Sequence, residues 1–89
     1  MSQLRAEDIY PVLRDYVARE LLHGEDAGLT ADTPLLEWGV IDSLSLAELL
    51  AFIEQRFSIQ MAEEEVTPEH FQTLGALSEL LARLSRAHA

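Results

Sequence analysis

The segment GVIDSLSL, Gly39 to Leu46, sets an aspartate and a serine directly ahead of a leucine-rich run. Two uses are open to Ser43. Either its side chain helps to start a helix by accepting from free backbone N–H groups, or its hydroxyl stands at the helix mouth where another protein can modify it. Catalysis by Ser43 itself would need a base within hydrogen-bond reach and a third group to orient that base. Neither stands nearby in the chain, and Ile41 and Asp42 occupy the place where a glycine-flanked nucleophile elbow would begin. His23, His70 and His88 are too far apart for a short metal-ligand motif, and there is no cysteine for a disulfide or a thiolate site. The expectation is a chain that is not an enzyme and holds no metal.

Ser43 must be positioned by helices, because helical periodicity dominates the chain. From Glu7 to Leu22, the residues Ile9, Val12, Leu13, Tyr16, Val17 and Leu21 recur at helical spacing. Pro11 fits most easily in a first turn, so this helix either begins near Tyr10 or bends there. HGEDAGLTADTPLLEWG, with three glycines and Pro34, has the composition of a long loop. A second helix is expected from Ser43 to Phe57, with Leu46, Leu49, Leu50, Ile53 and Phe57 on its inner side and Asp42 or Ser43 as its cap. Thr67 followed by Pro68 announces a short third helix. Thr73 opens a fourth, in which Leu74, Leu77, Leu80, Leu81 and Leu84 face inward.

No segment alternates with the two-residue period of a strand. The fold class that follows is all-α: a small four-helix bundle of three longer helices and one short one, with a long loop between helices 1 and 2. Residues 1–89 suffice for a single domain, which at this length buries roughly 60 to 65% of its unfolded surface. Sixteen acidic residues against six arginines give a formal charge of -10, which repels nucleic acid and anionic membranes and favours basic protein partners. The segment MSQLRAEDIYPVLRDY has no apolar run of signal-peptide type and no stretch reaches membrane-spanning length, so a cytoplasmic protein without membrane insertion is expected.

On a helical wheel Leu44 falls outside the inner stripe, on an outer face shared with Ala47, Glu48, Ala51 and Gln55. A lone exposed leucine is ordinary, but this one adjoins Ser43. Trp38, in a loop that crosses a bundle, is expected to be a core anchor rather than a contact for a bound group. Glu63, Glu64 and Glu65 read first as a solvated surface and second as a docking patch.

Asp42, Ser43 and Leu44, opening an amphipathic helix after a long loop and followed by two further helices, resemble the attachment site of acyl and peptidyl carrier proteins. The resemblance extends over nearly the whole chain, including the TPEHFQTLGALSELL ending. It implies that the Ser43 hydroxyl receives 4'-phosphopantetheine from coenzyme A, delivered by a phosphopantetheinyl transferase, and that the thiol of the arm then holds an acyl or aminoacyl group as a thioester. It implies further partners: a loading enzyme, either adenylating or an acyltransferase, and a downstream synthase, condensation or transferase enzyme. Asp42 would cap the helix, help to position the transferase's metal, or do both. Partner recognition would fall on Val40, Ile41, Asp42, Leu44, Ala47, Glu48, Ala51 and Gln55 of a monomeric carrier.

Two residues, Val40 and Ile41, separate Gly39 from the Asp-Ser pair, where carriers of fatty-acid type commonly have one. The longer approach is similar to discrete carriers of specialised metabolism, in polyketide or nonribosomal peptide biosynthesis, and to D-alanyl carriers. The competing reading from the residues is a helical adaptor that binds a partner through Leu44 without a prosthetic group. Under it, binding survives Ser43→Ala and is lost in Leu44→Asp.

Overall fold

The structure is a computed structural model that describes residues 4–22, 24 and 28–87. Of the three histidines, His23 and His88 lie outside the described residues.

Helix α1, Ala6–Tyr16, starts where the Asp8 carboxylate accepts from the Arg5 N–H at 3.4 Å. It begins well ahead of Pro11, which lies inside it. The alternative start near Tyr10 is therefore set aside. Proline has no N–H to return to the Glu7 carbonyl, but both residues are exposed and water can serve that oxygen. The expected continuous helix to Leu22 is instead interrupted, because Val17–Leu21 wind as one π-helical turn that lets consecutive Val17 and Ala18 both be buried.

The connection to the second helix is long, as its composition suggests, but it is ordered at two points. The Gly75 N–H donates to the Ala31 carbonyl at 3.0 Å, and a Cβ on Gly75 would meet that oxygen at 3.3 Å, so the close crossing depends on glycine. Further on, Leu35 is fully buried and its N–H donates to the Gln72 carbonyl at 2.8 Å.

Helix α2 runs Ser43–Phe57, as the spacing predicts, with Leu49 and Ile53 fully buried and Leu46, Leu50 and Phe57 half-buried. It ends at Ser58, whose left-handed conformation (φ 56°) directs its N–H to the Glu54 carbonyl. A single 3-10 turn, Glu63–Glu65, precedes the short α3, Pro68–Phe71, and α4 covers Leu74–Ala87. The Thr67 hydroxyl accepts from the His70 N–H, and the Thr73 hydroxyl accepts from the Ala76 N–H at 3.0 Å, so both expected threonine caps are present.

The apolar stripes meet in one core of Ile9, Leu13, Val17, Leu35, Leu49, Ile53, Phe71, Leu74, Leu77 and Leu81. Helix α1 packs along α4, and α3 abuts the start of α4. Helix α2 is joined to α1 by the stacked rings of Tyr16 and Phe52, 4.2 Å between centroids. The described residues form helices and turns only, the expected all-α bundle.

Candidate functional site

Ser43 is the first residue of α2 and is exposed. The cap is Asp42: its backbone is extended (φ -118°, ψ -169°) and its Oδ1 accepts from the Ser45 N–H at 2.8 Å. Of the two capping candidates the aspartate takes the role, and that leaves the serine hydroxyl out of the helix's own bonding. Among the described residues no side chain or backbone group engages it.

The Asp42 carboxyl is held below its ordinary value of 3.8, first by the Ser45 N–H, then by the Ser45 hydroxyl, with lesser help from the Leu44 and Asp42 N–H groups. Partial desolvation opposes these without overcoming them. An anion placed on Ser43 would share the first turn with this carboxylate, but also with the unpaired N–H groups and positive dipole end of a helix of 15 residues. The site thus offers a reachable hydroxyl in surroundings that accept a phosphodiester. His70, the one histidine among the described residues, is tied by Nδ1 to the Glu65 carbonyl at 2.8 Å.

Of the expected recognition residues, Asp42, Leu44, Ala47, Glu48, Ala51 and Gln55 are exposed or half-exposed, Leu44 at 70%. Val40 is half-buried. Ile41 corrects the expectation, because it is only 5% exposed and belongs to the core. It lies one step from the cap, where the chain turns into α2 and an aliphatic side chain can go inward.

Trp38 is a second correction. Expected as a core anchor, it is 62% exposed. Its turn is closed by three bonds: Trp38 N–H to Pro34 O, Gly39 N–H to Leu36 O and Val40 N–H to Leu35 O, with Gly39 at φ 74°. This is a glycine-terminated helical turn, and in it Leu35 points inward while Leu36 and Trp38 are exposed. The string TPLLEWG carries the signal: a proline at the start of a turn and a glycine just past its end.

Nothing in the residue pattern announces a small apolar cleft of about 130 Å³ lined by Leu36, Leu46, Val66, Thr67, Pro68 and Phe71. Leu46, which lines it, lies three residues beyond Ser43, on the neighbouring turn of α2. Glu63 and Glu64 are exposed, while Glu65 is half-buried with Arg83 at 3.9 Å.

Residues 11–81 match the family model described as "Phosphopantetheine attachment site". Among curated proteins, the chain is 33% identical over 76 residues to the "Probable acyl carrier protein PigG" of Serratia sp. (strain ATCC 39006), covering 85% of this chain and 86% of that protein. It is 37% identical over 62 residues to the "Lincomycin biosynthesis protein LmbN" of Streptomyces lincolnensis, covering 70% of this chain but 22% of that protein. Among solved structures, a chain from "Crystal structure of FAD-dependent dehydrogenase" superposes with a TM-score of 0.75 at 40% identity, covering 79% of this chain and 99% of that one.

Proposed function

The chain belongs to the phosphopantetheine attachment-site family, and from that premise we propose that it is a single-domain carrier whose Ser43 oxygen bears the 4'-phosphopantetheine arm. It is not itself an enzyme. A phosphopantetheinyl transferase makes the link: the Ser43 oxygen forms the new ester bond to phosphorus as the rest of coenzyme A leaves and the hydroxyl proton departs. When bound, the arm supplies a thiol that carries an acyl or aminoacyl group as a thioester. The observation that carries this reading is the exposed, unengaged hydroxyl at the first position of α2, with the capping role taken by Asp42.

The protein's own residues divide the remaining work. Asp42 caps the first turn of α2 by accepting from the Ser45 N–H. Leu44, Ala47, Glu48, Ala51 and Gln55 form the outer face on which the transferase, the loading enzyme and the downstream synthase or transferase dock, with Val40 at its edge. The cleft beside Leu46 is small, about 130 Å³. It suits a short acyl chain or a small ring rather than a long fatty chain.

The likeness to an acyl carrier protein and to a lincomycin biosynthesis protein supports a role in specialised biosynthesis. The likeness to a chain present in a crystal structure of an FAD-dependent dehydrogenase supports adding a flavin-dependent oxidation of the tethered group to the reaction classes of its partners. Among the described residues no helix is long and apolar enough to cross a membrane, and a cytoplasmic location fits the use of coenzyme A.

A fluorescent coenzyme A and a broad-specificity transferase test the assignment. The wild-type chain takes up the label and Ser43→Ala does not. A label on both, or on neither, overturns it.

A further inference from the structure

We propose that Trp38 is a recognition anchor, its indole entering an apolar pocket rimmed by lysine or arginine on the enzyme that esterifies Ser43. This rests on the reading of Ser43 given above and adds a residue that the helical outer face does not include.

Among the described residues the large exposed hydrophobic side chains are Leu36, Trp38 and Leu44, and all three fall in the segment 36–44 that contains Ser43. Single exposed leucines need no explanation. A cluster confined to one modified segment, with an indole 62% exposed within it, does. Tryptophan is also among the residue types most enriched at interface hot spots.

The indole is displayed by ordered backbone. Leu35 is fully buried and tied to the Gln72 carbonyl, and the bonds from Trp38, Gly39 and Val40 close the turn above it. An anchor held this way loses little freedom on binding, which is the condition under which an exposed aromatic contributes most to affinity.

Distance brings the anchor under the enzyme. The path from Trp38 to Ser43 is at most about 18 Å of extended chain, and the closed turn shortens that reach. A standard interface covers about 800 Å² per partner, a disc of radius about 16 Å. An enzyme docked over the Ser43 hydroxyl can therefore reach Trp38 as well.

Charge fixes the character of the partner. From 28 to 55 the chain carries Asp32, Glu37, Asp42, Glu48 and Glu54 and no lysine, arginine or histidine. An apolar pocket with a basic rim complements such a surface, and an acidic or uncharged rim does not.

The test uses the full chain and a phosphopantetheinyl transferase that modifies it, with steady-state rates measured for wild type, Trp38→Ala and Trp38→Phe. Trp38→Ala should lower kcat/KM by about tenfold or more, the effect of losing roughly 1.4 kcal/mol, carried by a higher KM, while its melting temperature stays at the wild-type value. Trp38→Phe should recover most of the loss, and added salt should raise KM for all three proteins. Wild-type kcat/KM in Trp38→Ala overturns the anchor while leaving Ser43 as the attachment site. A wild-type chain that no transferase modifies overturns both.

Discussion

The Asp42 carboxylate accepts a hydrogen bond from the Ser45 N–H at 2.8 Å, across a Ser43 whose own hydroxyl takes no part. One residue thus caps α2 and the next is left for chemistry. Replacing Asp42 by alanine should lower the melting temperature by a few degrees, read by circular dichroism, and slow modification of Ser43 as the first turn frays.

The same contact has a pH signature. The folded Asp42 carboxyl lies below its ordinary 3.8, so its stabilisation is complete above the unfolded value and is lost as the pH falls through the folded one. Wild type should exceed Asp42→Ala in melting temperature at neutral pH, and the difference should shrink as the pH is taken below 3.8. A difference that stays constant across that range would show that the carboxylate does not act as the cap.

Ser78 is 2% exposed in α4, and its hydroxyl has no partner among the described residues. An unpaired buried hydroxyl costs about 1–3 kcal/mol, and alanine is the better helix former. Ser78→Ala should therefore raise stability by about 1 kcal/mol or more, measured by urea denaturation. A loss of stability would mean that the hydroxyl is bonded in solution.

Tyr16 ionises above its ordinary 10.0, because burial opposes the phenolate and Glu48 and Glu20 repel it. The neutral ring stacked on Phe52 is thus favoured by folding, and ionisation is harder in the folded chain than in the unfolded one. That contribution is fully present below the unfolded value of 10.0 and is lost as the pH rises from there through the raised folded value, because the unfolded chain gives up its proton first. Wild type should therefore lose stability above pH 10.0 more steeply than Tyr16→Phe, in a pH series of melting temperatures.

The helices are legible because each has one apolar stripe. The periodicity of Leu46, Leu49, Leu50, Ile53 and Phe57 marks α2 to its ends, and Thr67-Pro68 and Thr73 mark the two helices after it. Ser43 is legible from its place ahead of that stripe. What periodicity does not carry is the environment of residues outside helices. Hydrophobicity places Trp38 inward and nearness to Ser43 places Ile41 outward, and both are reversed because a glycine-terminated turn and the capping residue set the direction of those side chains. The π turn at Val17–Leu21 and the cleft at Leu46 and Phe71 arise from packing between elements distant in sequence, which a single stripe does not encode.

Leu44 separates docking from attachment. Exposed at 70% beside Ser43, it should be dispensable for folding, and Leu44→Asp should keep the wild-type melting temperature while raising the transferase KM. Lower thermal stability in Leu44→Asp would instead mean that the side chain packs within the fold.

The most direct measurement is fragmentation mass spectrometry of the chain after incubation with coenzyme A and a phosphopantetheinyl transferase. One phosphopantetheine should be found, on Ser43, with Ser45 unmodified and Ser43→Ala unchanged in mass. A group on Ser45 or elsewhere, or a wild-type chain of unaltered mass, would contradict the account.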